Sequence, residues 1–394
     1  ENHMDMFLKV GTRLRTQLLY YTLGLFLILL GQSCLAQTII IPKNLVIYED
    51  TTYSEVTLDM TAGSIILENN ATLTIKKCTI NGTLSETNPV LFNVSSGTLR
   101  MKDNTVTVNT FNLNAHPATQ SLQHVIQVAM GKVHLKKNTF SIDKTYTAGL
   151  LLTTASIPTT DFVITNNSFK NFHGVLYLLA SDNALVSDNN FFMNSYGHIV
   201  SIGNHLQIIH NTIAFSGNDR LGNAIDIIDS DQAIISRNLL LTPTCHGIYV
   251  LNSHHVTVDS NRIYGGITYA MTFLTYPEVL PPNYYLSKTL ASYKMKHLLS
   301  SNIVVTNNFM SQNRFGLAAT DVDGLNVDNN IFIQRFTDAN TRKFWTNNAV
   351  LLSNVSNVSW TNNIYKEAFT QSTTGDNSQA FHFVPFPMTG GVVL

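Results

Sequence analysis

Apolar positions along this chain come in short runs separated by polar turns, and the runs recur with a fixed marker at their ends. Ten asparagines between residues 104 and 363, each followed two positions on by an apolar side chain, mark the ends of such runs. Taken on Asn104, Asn138, Asn167, Asn190, Asn211, Asn238, Asn261, Asn308, Asn330 and Asn363, the spacings are 34, 29, 23, 21, 27, 23, 47, 22 and 33. The floor of 21 to 23 residues is the repeating unit, and the longer intervals carry insertions. Windows such as 224–238 (AIDIIDSDQAIISRN) and 247–261 (GIYVLNSHHVTVDSN) hold two strand-like runs joined by a polar turn, and a third short run follows the asparagine. Three strands per unit, with Gly and Asn at the corners, predict the coils of a parallel β-helix. A corner asparagine can bond the backbone of its own turn, tolerates left-handed geometry and can continue a ladder to the asparagine of the next coil. The apolar residue two positions on, such as Phe140, Phe169, Phe192 or Leu240, is expected to point inward.

The alternation persists in looser form over residues 37–103 and fades after Phe369. The expected organisation is one β-helix domain over 37–369 and a C-terminal cap or tail over 370–394. About a dozen coils at the strand spacing give a rod about 55 to 60 Å long.

Windows such as GIYVLNSHHVTVDSNRI (247–263) resemble the right-handed parallel β-helix repeats of the pectate-lyase-like superfamily, and the resemblance covers about 100–365. It implies an all-β, single-stranded, right-handed solenoid. Within that superfamily the chain is similar to mannuronan epimerases, polysaccharide lyases and periplasmic copper-accessory β-helix proteins. The matching positions are packing positions, so the resemblance implies fold far more than chemistry. The Asp-Pro-His motif of mannuronan epimerases is absent. Where polygalacturonases carry paired aspartates, this chain has TPTCHG at 242–247, which argues against hydrolysis by two carboxylates.

Composition narrows the partners. Charged residues make up 12% and the formal net charge is −1, against roughly 25% charged residues in an average soluble protein. No basic stripe is visible along the sequence, so nucleic acid is not an expected partner. Lys9, Arg13 and Arg15 precede the apolar run Leu18–Leu30, and Ser33–Gln37 follows with small residues. This order predicts a signal peptide over 1–36, cut after Ala36. The run falls short of the ~20 residues that span a bilayer, so an exported, periplasmic or secreted protein without a membrane span is expected, and a monomer. Cys78 and Cys245 fall about six rungs, some 30 Å, apart at the strand spacing, too far for a disulfide.

Candidate chemistry gathers around the largest irregularity, the 47 residues between Asn261 and Asn308. Insertions of this size in compact folds are usually functional. Taken as 262–300, this one holds six tyrosines and a local charge of 4 − 1 = +3 from Arg262, Lys288, Lys294 and Lys296 against Glu278. A short helix is expected over 286–298. A basic, tyrosine-rich flap suits an acidic polysaccharide, because aromatic faces pack on sugar rings and cations meet carboxylates. Arg262, Tyr264, Tyr269, Tyr284, Tyr285 and Lys294 are the expected binding residues; the same loop folded back on the solenoid is the structural alternative.

Laid over one another, the windows place Ile199, Asp226, Tyr249, Ala318 and Leu351 in one column, and Ile202, Asp229, Asn252 and Asp321 in another. Alternation turns Asp226 and Tyr249 outward on neighbouring rungs about 5 Å apart, as an acid/base pair or as solvated face residues. The expected catalytic set is Asp226 and Tyr249, with Arg220 or Lys288 neutralising a uronate carboxylate. His246, at a corner between Cys245 and Gly247, could bind metal but lacks partners at ligand spacing, and His254 and His255 are expected in a solvated turn. Asp321 and Asp323 could help to hold calcium but lack the fuller run of oxygen ligands, so no metal or cofactor is assigned. The functional expectation is an exported lyase or epimerase acting on a uronate polysaccharide; a non-catalytic surface or periplasmic β-helix fits the same features.

Overall fold

The computed structural model describes residues 37–111, 123–144, 147–153, 159–179, 181–194, 197–214, 223–243, 245–265, 268–276, 295–313, 315–336, 350–369 and 381–383. They form a right-handed parallel β-helix with three faces. The first face is a thirteen-stranded sheet running from Thr38–Ile40 to Ile364–Phe369. Its strands pair in parallel, each with the coil before and the coil after. The second face includes Leu176–Leu179, Ile199–Ile202, Ile225–Ile228, Ile248–Leu251 and Tyr269–Leu274. The third includes Thr72–Lys76, Gln207–Ile209 and Thr257–Asp259. Strands Val90–Lys102, His124–Lys136, Phe315–Asp328 and Val350–Thr361 run through the corner and join the second and third faces. Gly97 and Gly324 turn two of these corners at φ 106 and 78, a region in which side chains other than glycine are strained.

The asparagine ladder joins the third face to the first. The Asn104 side-chain amide donates to Asn138 Oδ1 at 2.8 Å, and the Asn104 backbone N–H donates to the same oxygen at 3.0 Å. The pattern repeats through Asn167, Asn189, Asn211, Asn238, Asn261, Asn308 and Asn330 to Asn363. At its N-terminal end Cys78 occupies the column and donates its backbone N–H to Asn104 Oδ1. Two details correct the sequence reading. The anchor in 187–192 is Asn189, not Asn190, so Phe191 lies inside and Phe192 is 41% exposed. The left-handed residue is the one before each ladder asparagine: Asp103, Lys137, His210, Arg237 and Ser260 have φ of 55 to 57. Such a conformation costs roughly 1–3 kcal/mol and persists only where its surroundings impose it, as the ladder does here.

The interior column above the ladder is Val106, Phe140, Phe169, Phe191, Ile213, Leu240, Ile263, Met310, Phe332 and Tyr365 in register. Its aromatic members stack, Phe140 on Phe169 at 5.7 Å and Phe169 on Phe191 at 5.0 Å. A second ladder, of Ser230, Ser253 and Ser300, stitches the second face to the third; each N–H in the series donates to the next hydroxyl. Cys78 and Cys245 are both free thiols. Residues 1–36, the expected signal segment, lie outside the described residues, as do 370–380 and 384–394 of the expected tail. No described helix is long and apolar enough to cross a membrane.

Candidate functional site

The outward column of the second face reads Tyr177, Val200, Asp226, Tyr249, Thr272, Ala318 and Leu351. Asp226 and Tyr249 are register partners on neighbouring rungs. Two members of the expected column change. Ile199 is one step away and points inward beside Ile225, and Thr272 intervenes before Ala318. The slip arises at the corner: four residues separate Ile202 from Gln207, whereas five separate Ile228 from Ile234. Ile202 likewise stays in the outward apolar row with Ile228 and Leu251, while Asp229 and Asn252 form the corner beyond it.

Asp226 and Tyr249 are not solvated face residues. Asp226 is 0% exposed and Tyr249 7%. Asn223 donates its amide to Asp226 Oδ1 at 2.6 Å, and its own carbonyl oxygen accepts the backbone N–H of His246 at 3.1 Å. The His246 ring shares a 2.6 Å hydrogen bond between Nδ1 and Thr272 Oγ1. It stacks on Tyr269 at 5.4 Å and meets the edge of Tyr249 at 5.2 Å, and Tyr269 stacks in turn on Phe315. Burial pushes the His246 pKa down to about 4, so the ring is neutral at physiological pH. Burial, and then the charge of Asp226, pushes the Tyr249 phenol far above its ordinary range. Burial also raises the Cys245 thiol, against the opposing hydrogen bond from Thr268. The pit therefore presents a carboxylate side chain, a phenol that holds its proton and a neutral imidazole within three coils. A phenol in that state donates a proton rather than removing one.

The insertion is narrower than 262–300. Arg262–Tyr264 is a first-face strand and Tyr269–Leu274 a second-face strand, so the surplus chain is confined to 275–299. Arg262 and Tyr264 stand on the first face rather than in the Asp226–Tyr249 column, Tyr264 against Phe309 at 5.5 Å. Tyr269 joins the pit. Arg220, Tyr284, Tyr285, Lys288 and Lys294 lie outside the described residues, as does 286–294 of the expected helix; 295–299 is irregular.

Both ends of the surplus segment are fastened beside the pit. Asn252 accepts the N–H of Tyr276 at 2.7 Å and donates to the carbonyls of Tyr276 and His297 at 2.8 and 2.9 Å. Asp229 accepts the N–H groups of Lys296 and His297 at 2.7 Å each, and the His297 ring at 2.8 Å. Met295 and Tyr276 pack on an outer apolar layer that includes Val200, Ile228, Tyr249 and Leu251. Asn252→Ala removes the one side chain that holds both ends. It should make the 276–297 segment at least tenfold more sensitive to limited proteolysis while the coils melt together as before. Unchanged cleavage would refute the clasp.

The weaker candidates are occupied in other ways. His254 bonds the Leu299 carbonyl and lies 4.4 Å from the His297 ring, and His255 pairs with Asp231 at 2.8 Å. Asp321 accepts the Asn354 amide, and Asp323 accepts Ser356 and Asn357 from the next coil. They brace corners. His246, weighed in the sequence only as a weak metal candidate, and Asn223, which no motif singled out, are the additions to the site.

The strand pairings define the chain as a right-handed parallel β-helix protein. Residues 138–278, the coils that carry the pit, match the sequence profile of the family described as periplasmic copper-binding protein (NosD). No curated protein matches in sequence. Among solved structures the chain is similar to the periplasmic alginate epimerase AlgG, with 12% identity, TM-score 0.48, and coverage of 85% of this chain and 86% of that one. It is also similar to a mannuronic acid specific polysaccharide family 6 lyase from human gut microbiota, with 12% identity, TM-score 0.41 and coverage of 89% and 87%. These likenesses are of fold. Among the described residues, no three His, Cys, Asp or Glu side chains converge as metal ligands. The described residues thus offer no such ligand set for copper, and no step is assigned to it.

Proposed function

We propose that the protein is an exported binder of an acidic, uronate-containing polysaccharide, which it processes as a lyase or epimerase at the Asp226–Tyr249 pit. The observation that carries the reading is the pairing of these two side chains on adjacent rungs beside neutral His246, on the face where Tyr276, Lys296 and His297 are fastened. In this reading the protonated phenol supplies a proton, and Asp226 or His246 takes the one next to the uronate carboxyl group. Neutralising that carboxylate is assigned to Arg220 or Lys288, which lie outside the described residues. The leader-like segment 1–36 and the family description of the matched coils support export.

The test is release of unsaturated uronate at 235 nm, with uronate composition before and after incubation, across alginate, pectate and glycosaminoglycans. Activity in the parent should fall at least a hundredfold in Tyr249→Phe and Asp226→Asn, which preserve size. A second reading, a non-catalytic β-helix that binds glycan, is favoured by the closure of Asp226 from solvent. Binding without turnover in the parent, unchanged in both variants, would establish it.

A further inference from the structure

The third face carries a cationic grid that no stretch of sequence displays. On three successive coils Lys76, Lys102 and Lys136 are register partners. Beside that row, Arg100 and His134 are partners in the next, and Lys132 stands at the grid's far edge. Alternation makes these positions outward: the residues between them, Leu73, Ile75, Leu99, Met101, Val133 and Leu135, are buried. All five lysine and arginine side chains in the grid are exposed. Asp161 lies 3.4 Å from Lys132 and 3.5 Å from His134, and Asp103 reaches Lys102 only at 3.9 Å. Among the described residues no ion pair reaches Lys76, Arg100 or Lys136. The local surplus is 5 − 2 = +3 on a chain of net charge −1.

Like charges stacked at the rung spacing, about 4.8 Å, repel one another and are stabilised by an anion laid across them. The surface is flat and strand-built, so it suits an extended polymer rather than a small ligand. The rung spacing is of the order of one sugar residue, which lets successive carboxylates meet successive lysines. We infer that this grid is a docking surface for an acidic polysaccharide, running along the solenoid axis on a different face from the pit. Four ladder steps, roughly 20 Å at the rung spacing, separate the coil of Lys136 from that of Asp226. The inference rests on the proposed uronate partner. It adds a place where a long chain is held away from the pit.

The test uses the full chain and oligogalacturonates of increasing length at 50 and 300 mM salt. The triple variant Lys76→Ser, Arg100→Ser, Lys136→Ser changes only exposed side chains, and its thermal midpoint should match the parent. Its affinity should fall at least tenfold and lose most of its salt dependence. Replacing Lys76, Lys102 and Lys136 by arginine should retain binding. Equal affinity of the parent and the serine variant would overturn the grid, and if binding or turnover still fell in Tyr249→Phe the pit reading would stand. Tighter binding of a DNA duplex or of phosphatidylserine vesicles than of uronate oligomers would assign the grid to another class of partner and overturn the inference. No uronate affinity in the parent would remove both readings together.

Discussion

Replacing Asn238 with alanine should destabilise the solenoid by roughly 3 kcal/mol and divide its thermal unfolding into two steps. Asn238 sits mid-ladder and is buried. Its Oδ1 accepts the N–H of Asn211 at 2.9 Å and the Asn211 amide at 3.1 Å, and its own amide donates to the Ile208 carbonyl at 2.8 Å. Alanine leaves the Asn211 N–H and the Ile208 carbonyl without these partners, and a buried polar group left unsatisfied costs roughly 1–3 kcal/mol. Each coil of a solenoid touches only its neighbours, so the loss falls on one interface and weakens the coupling between the blocks on either side. Circular dichroism or calorimetric melts report it directly. A single transition at the parent's midpoint would show that the ladder is ornamental.

The second large effect separates two adjacent phenylalanines. Phe191→Ala should cost about 3–5 kcal/mol, the range for emptying a buried aromatic site, because Phe191 is 1% exposed and its ring lies 5.0 Å from Phe169. Phe192→Ala, one residue on and 41% exposed, should cost less than about 1 kcal/mol. Denaturant midpoints of the two variants provide the measurement. Similar losses in both would place the strand in the other register, with Asn190 as anchor.

That pair marks where the sequence stopped being sufficient. The tandem Asn189-Asn190 offers two anchors, and the spacings of 23 and 21 looked as regular as the true 22 and 22. Only packing decides between them, because one choice buries Phe191 and the other Phe192. The repeat, the three-strand coil and the inward stack were legible because they follow from local alternation. The column containing Asp226 was legible over two coils and slipped where a corner is one residue shorter. The place of His246 beside Tyr249 was illegible because its bond to Thr272 and its stacking on Tyr269 join residues more than twenty positions apart. The lysine grid was hidden for the same reason: Lys76, Lys102 and Lys136 are 26 and 34 residues apart and become neighbours only when the coils stack.

The ladder also has a direction, and direction matters to a chain synthesised from its N-terminus. The donors of each asparagine, backbone and side chain, point at the oxygen of the next coil, as Asn211 does to Asn238 and Asn238 to Asn261. An arriving asparagine caps two waiting donors and bonds a carbonyl of the finished coil, all without needing any residue still to come. Growth can proceed one coil at a time on a template already in place, and the newest coil always carries the unmet donors. A chain stopped at any anchor should therefore remain folded up to its last one or two coils, with its sticky edge at the C-terminal end.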